Sequence, residues 1–237
     1  TIDAATVTGN NAMAGSIITS VGDKTIVRNS SLNNNTASGS VVNAPNGELF
    51  LISTTVAENN GVAGTDVVGE NVSIVNSTIA EAGKDEVLVQ ASGDVQIANS
   101  IVVGSEAETT VINAGGDIDG AYSVLGQVAS GGRFNNEYDT VTMEQSYADV
   151  FGKNTVNGNG LISLPSGSPA AEGVWTAVDT DSDSEAYGSV YYTTRPEGMW
   201  TQGYNPNRMS WNLLGAGYVG GRGDISSSAT VSAGNAG

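Results

Sequence analysis

The sequence predicts an all-β chain folded as a right-handed parallel β-helix, with three strands per coil and about 22–25 residues per coil. Two observations carry this. One short phrase recurs at intervals of 25, 24, 23 and 22 residues between Val7 and Ile101, and three short apolar stretches return in the same order within every interval. Repeats of this length are supersecondary units that bury an apolar face only against their neighbours.

The phrase runs Thr6-Val7-Thr8-Gly9-Asn10, Ser31-Leu32-Asn33-Asn34-Asn35, Thr55-Val56-Ala57-Glu58-Asn59, Thr78-Ile79-Ala80-Glu81 and Ser100-Ile101-Val102-Val103-Gly104. A second stretch is Ile17-Ile18, Val41-Val42, Val67-Val68, Val87-Leu88-Val89 and Val111-Ile112. A third follows a glycine: Thr25-Ile26-Val27, Leu49-Phe50-Leu51, Val72-Ser73-Ile74 and Val95-Gln96-Ile97. Alternation such as Val72-x-Ile74 turns apolar side chains to one face, as a half-buried strand requires.

A sandwich or barrel predicts hairpin spacing, with Asn-Gly turns linking antiparallel neighbours. Here Asn46-Gly47 and Ser92-Gly93 fall instead at one place in successive coils. The right hand follows from the usual sense of parallel crossovers. Asn10, Asn34 or Asn35, and Asn59 or Asn60 are expected at corners, where Asn tolerates left-handed backbone and satisfies local amides.

From Gln127 onward no interval is regular, aromatics become denser and four of the five prolines occur. Residues 1–126 are therefore assigned to coils, 127–218 to an irregular capping and packing region, and 219–237 to a Gly/Ser-rich tail.

Composition narrows function. The net charge is -17 with only 8 Lys plus Arg, which disfavours nucleic acid and anionic membrane surfaces as partners. The chain contains neither Cys nor His. That removes disulfides, thiolate nucleophiles, Ser-His-Asp triads and the usual zinc ligand sets. No apolar run approaches the roughly 20 residues of a membrane-spanning helix.

The wording of the repeat resembles a known family. Val75-Asn76-Ser77-Thr78-Ile79-Ala80 and Ala98-Asn99-Ser100-Ile101-Val102-Val103-Gly104 are similar to phrases of bacterial right-handed parallel β-helix proteins of the polymorphic outer-membrane-protein and autotransporter-passenger type. Ala121-Tyr122-Ser123-Val124-Leu125-Gly126, Asp149-Val150-Phe151-Gly152 and Leu164-Pro165-Ser166-Gly167-Ser168-Pro169-Ala170 extend the likeness. It departs at Ala171-Glu172-Gly173, and the family's closing motif is blurred. The resemblance implies a secreted or surface-exposed structural or adhesive protein without enzyme activity, and it carries over no catalytic residue.

Several local features invite a site. Asp179, Asp181, Asp183 and Glu185 alternate with small hydroxyl residues, the ligand chemistry hard cations such as Ca²⁺ prefer; a solvated acidic loop is the simpler reading, and no other cofactor is expected. Arg222-Gly223-Asp224 is an integrin-type tripeptide. Tyr187, Tyr191, Tyr192, Trp200, Tyr204 and Trp211 suit packing better than a sugar platform. The enzymatic alternative is a polysaccharide lyase-like or hydrolase-like β-helix. Hydrolase-like members need clustered Asp plus His, and a lyase-like site has only Arg195 beside the acidic loop.

A β-helix has two ends with unpaired strand edges. The tail Ala229-Thr230-Val231-Ser232-Ala233-Gly234-Asn235-Ala236 echoes Ala5-Thr6-Val7-Thr8-Gly9-Asn10-Asn11-Ala12, so either the segment belongs to a longer array or the molecule assembles head to tail, with Ala229, Thr230, Val231 and Ser232 as a candidate assembly strand. The expected function is a non-enzymatic extracellular or cell-surface module, structural or adhesive, self-associating head to tail through its ends, with a surface glycan receptor as a further candidate partner.

Overall fold

The computed structural model describes residues 1–61, 65–83, 86–137, 141–157, 160, 162–165 and 167–170, together with the backbone of three strands farther along the chain. The predicted architecture is observed: a parallel β-solenoid of about five turns, close to 23 residues each, with three parallel sheets.

The first coil contains β1 (Ile2–Asp3), β2 (Thr6–Thr8), β3 (Asn11–Ala12) and β4 (Ile18–Thr19); the second begins with β5 (Lys24–Arg28), β6 (Ser31–Asn33) and β7 (Thr36–Ala37). Then come β8 (Val42–Ile52), β9 (Thr55–Ala57), β10 (Asn60–Gly61), β11 (Val67–Val75) and β12 (Thr78–Ala80). The later coils contribute β13 (Val89–Ala91), β14 (Val95–Ala98), β15 (Ile101–Val103), β16 (Thr110–Ala114), β17 (Ile118–Ala121) and β18 (Val124–Leu125). Pairing between coils is parallel throughout, from β2 on β6 to β15 on β18 in one sheet and from β1 on β5 to β14 on β17 in another.

Stacked equivalents fill the axis. Val27, Leu51, Ile74 and Ile97 form one ladder, and Leu32, Val56, Ile79, Val102 and Leu125 form another. All of them are buried in one continuous core. The register corrects the sequence alignment in one coil: Thr78 pairs with Ile101 and Ile79 with Val102, so the interval there is 23 residues rather than 22. Ile101 thus occupies the outward position held by Thr78, where it joins a separate apolar cluster.

One leg of the coil never varies. Five residues separate Val27 from Leu32, Leu51 from Val56, Ile74 from Ile79, Ile97 from Val102 and Gly120 from Leu125. Its corner residue has positive φ in every coil: Ala4, Asn29, Ser53, Asn76, Asn99 and Tyr122, at 47 to 51°. Variation in coil length is confined to the other legs. In the leg leading to Leu49, Gly47 has φ 70°, and a Cβ there would meet the Asp23 carbonyl oxygen at 2.0 Å.

After β18 the ladder continues with β19 (Gln127–Ser130) on β16 and β20 (Phe134–Asn136) on β17. Val141 joins the core and Thr142 bridges Val124, which covers this end of the prism. A short helix, α1 (Tyr147–Phe151), then turns the chain back along the outside. Ser146 caps it, accepting from the Asp149 backbone N–H while the Asp149 carboxylate accepts from the Ser146 backbone, a reciprocal capping box.

The returning segment lies on the outer face of the sheet built from β6, β9, β12 and β15. Tyr147, Val150, Phe151, Ile162 and Ala170 pack on Ala57, Ala80, Ile101 and Val103. Its path is pinned in three places. The Tyr147 backbone donates to the Gly104 carbonyl at 2.7 Å, Val156 to the Glu58 carboxylate at 2.6 Å, and the Ser31 hydroxyl to the Gly160 carbonyl at 3.3 Å.

Farther on, β21 (Trp175–Asp179), β22 (Val190–Thr193) and β23 (Trp211–Leu214) form a separate antiparallel sheet in the order β22-β21-β23.

Candidate functional surface at the first coil

Two polar ladders run through the solenoid beside the apolar ones, and both change at the first coil. The first follows the left-handed corner. Ser30, Thr54, Ser77, Ser100 and Ser123 each turn a hydroxyl inward and donate it to the carbonyl two residues back. The same oxygens accept from the coil below: Ala5 donates its backbone N–H to Ser30, Thr54 to Ser77, Ser77 to Ser100 and Ser100 to Ser123, each at 3.1 Å. The Asn-Ser words of the repeat therefore encode a corner and its cap, with Asn accepting left-handed backbone and Ser satisfying two buried backbone groups. The first coil has Ala4-Ala5 in place of this pair.

The second ladder holds the recurrent asparagines. Asn10 donates its backbone N–H to Asn35 Oδ1 at 3.1 Å, Asn35 to Asn59 Oδ1 at 3.0 Å, and Asn59 to Glu81 Oε1 at 2.8 Å. Within the stack, Asn35 and Asn59 also send their amides back to the preceding coil, onto the Val7 and Leu32 carbonyls. Asn10, in the first coil, donates its amide to Asn35 Oδ1 at 3.0 Å and also to the Thr8 carbonyl of its own coil at 3.2 Å. Of the asparagines expected at corners, Asn34 has the left-handed backbone at φ 53°, whereas Asn35 and Asn59 are buried and link coils.

The apolar core is correspondingly uncovered at this end. Ile2, Val7, Ile17 and Ile18 pack against it yet remain only partly buried. Among the described residues, Met13 and Val21 are the large apolar side chains most exposed to solvent, at 77% and 79%. Arg28 joins the first two coils by a 3.0 Å ion pair with Asp3. Burial pushes the Asp3 carboxyl up, but the Asn29 hydrogen bond and the Arg28 charge outweigh it and hold the group below its ordinary range.

The surface thus combines backbone edges of β1, β2, β3 and β4, a strip of aliphatic carbon and the exposed Asn10 end of the amide row. Unpaired strand edges of this kind offer main-chain hydrogen bonds to an extended chain. No protein-family model, curated protein or solved structure matches this chain.

Asp179 ends β21, where it pairs with Trp211, while Asp181, Asp183 and Glu185 lie outside the described residues. Ala229, Thr230, Val231 and Ser232, the Arg222-Gly223-Asp224 tripeptide and Arg195 also lie outside them. Of the aromatic group, Tyr191 and Tyr192 belong to β22 and Trp211 to β23; Tyr187, Trp200 and Tyr204 are outside the described residues.

The stack also contains an interrupted amide row that the sequence alone does not disclose. Asn99 donates its side-chain amide to Asn76 Oδ1, but Asn76 Nδ2, Asn99 Oδ1 and Ser53 Oγ are buried and find no partner. The three residues occupy the left-handed corner of successive coils.

Proposed function

We propose that this chain is a non-enzymatic extracellular module, structural or adhesive, that associates end to end through its coils. The observation behind this reading is the contrast between the two ends of the solenoid. At one, Val141 is buried against the last coil with Phe134 and Met143 half-buried beside it; at the other, Ile2, Val7, Ile17 and Ile18 are all only partly buried. Burying apolar surface stabilises by roughly 25 cal/mol per Å², so an added coil at the open end gains both apolar contact and backbone pairing. Head-to-tail contacts of this kind are heterologous and grow into filaments when the rotation does not close.

The likeness of the Asn-Ser phrases to polymorphic outer-membrane and autotransporter-passenger β-helices supports a cell-surface setting. Strong net acidity favours solubility and argues against a nucleic-acid partner. Among the described residues, no helix is long and apolar enough to cross a membrane. Sedimentation over a wide concentration range, followed by electron microscopy of the purified chain, tests the proposal. Concentration-dependent linear particles are expected; a strictly monomeric species at every concentration overturns it.

A further inference from the structure

We infer that the outer face of the sheet formed by β5, β8, β11 and β14 is the seat of the antiparallel sheet β22-β21-β23, which folds back around the left-handed corner onto Ile26, Phe50, Ile52, Val75 and Ala98.

The solenoid carries an apolar patch that its axis does not use. Side chains alternate along a strand, so with Val27, Leu51, Ile74 and Ile97 turned into the core, their neighbours Ile26, Phe50, Ile52, Val75 and Ala98 face outward. These five form a cluster of their own, and Phe50, the most exposed of them, is only 6% accessible. An outward strand face is buried to that degree only beneath other atoms. Lys24 supplies some of them, its ammonium lying 5.6 Å from the Phe50 ring centroid, but among the described residues no further hydrophobic side chain packs on the five. A single chain buries the patch, so the cover is another part of that chain.

The cover has edges that give its position. Lys24, Glu48 and Asn71, the next outward row of the same sheet, are exposed, and so is Gln96, which pairs with the half-buried Ser73 above Phe50. In the other direction burial continues past the patch. Ser53, Asn76 and Asn99 at the corner are buried, whereas Ala4 is exposed and Asn29 and Tyr122 are half-buried. The cover therefore wraps the corner, toward the face on which the returning segment lies.

The occupant follows from where that segment leads. Ala170 is buried in the cluster that contains Ala80, and five positions farther on Trp175 opens β21. The coil itself passes around the corner from Ala80 to Val75 in five residues. A chain leaving Ala170 in that direction thus reaches the patch as β21 begins. Three short strands hold together only when one face is packed, and these three read Trp175-Thr176-Ala177-Val178-Asp179, Val190-Tyr191-Tyr192-Thr193 and Trp211-Asn212-Leu213-Leu214. The patch offers the apolar partner such a sheet needs, whereas the Gly/Ser-rich residues 219–237 contain no aromatic side chain to cover it.

All three tryptophans, Trp175, Trp200 and Trp211, lie beyond residue 170, so their fluorescence reports the contact without an added fluorophore. The chain has no native cysteine, which allows a nitroxide to be attached to the full-length protein at Gln96→Cys, on the open part of this face, or at Asn60→Cys, exposed on β10. The label at position 96 is expected to quench tryptophan emission at least twofold more than the label at position 60, equally at every dilution. Equal quenching from the two positions, or none from position 96, overturns the inference. Quenching that disappears on dilution assigns the face to a second copy and overturns it as well. Phe50→Ala is the independent check: with the far-UV spectrum of the solenoid retained, tryptophan emission should move to longer wavelength and acrylamide access should rise at least twofold. Unchanged emission and access in that folded variant overturn the inference.

Discussion

Asn35 donates both its backbone N–H and its side-chain amide to the Oδ1 of Asn59, each at 3.0 Å, although the two residues lie 24 positions apart. The bonds link two coils inside the wall, where both residues are buried. Leaving a buried donor without an acceptor costs about 1–3 kcal/mol. Asn59→Ala deprives Asn35 of its acceptor and the Leu32 carbonyl of its donor. Urea unfolding should therefore show a loss of about 2–4 kcal/mol at unchanged m-value. A loss within the ~0.5 kcal/mol typical of surface substitutions would mean the ladder is incidental.

The two-rung row of Asn76 and Asn99 predicts a gain. Its donor end, Asn76 Nδ2, faces the coil of Ser53, whose own hydroxyl is unpaired and whose φ of 49° disfavours most side chains. Ser53→Asn supplies an acceptor for Asn76 and a residue that tolerates this backbone. Thermal unfolding should shift upward, corresponding to about 1 kcal/mol for one added buried hydrogen bond. A fall in midpoint would show that the row has no room for the larger amide.

The core ladders are legible in the sequence because the corner leg has a fixed length and is marked in four coils by an Asn-Ser or Ser-Thr pair. Where neighbouring residues are all aliphatic, as at Ile101-Val102-Val103, sequence cannot tell which one faces inward; a one-residue slip exchanges the two faces of a strand. The pairing of Gln127–Ser130 and Phe134–Asn136 carries no repeat signal, since Val128 follows its partner Ile112 by 16 residues rather than 23. The returning segment left no signal either. Glu58 and Val156 meet across 98 residues through one hydrogen bond from a backbone N–H to a carboxylate, which no periodicity encodes. As for the surface, the echo at Ala229 directs attention to the first coil, but the partial burial of Ile2, Val7, Ile17 and Ile18 there is visible only in three dimensions.

Gly47 provides a steric test of coil stacking. Its φ of 70° lies in the region glycine alone adopts at no cost, and the Asp23 carbonyl occupies the space of a side chain. Gly47→Ala should destabilise the fold by more than about 1 kcal/mol, since both the backbone and its neighbour must shift. Gly22→Ala is the control: nothing lies within 4 Å of a Cβ there, and its effect should be small.

The capping box of α1 predicts a local response to acid. Side-chain and backbone hydrogen bonds from Ser146 hold the Asp149 carboxyl below its ordinary range, against a smaller opposing effect of burial. A carboxyl whose folded pKa is depressed stabilises the fold above its unfolded pKa, near 4, and that contribution disappears as pH falls through the lower folded value. Acid should therefore loosen α1 and the segment it anchors on Val103 and Ile101 before the solenoid itself opens. Hydrogen exchange at the Val150 and Gly152 amides, compared at neutral pH and below pH 4, should show protection falling in acid while Val102 and Ile79 remain protected. In Asp149→Asn the two amides should exchange faster at neutral pH, and acid should add little. Equal acid sensitivity in the variant would assign the effect to another group.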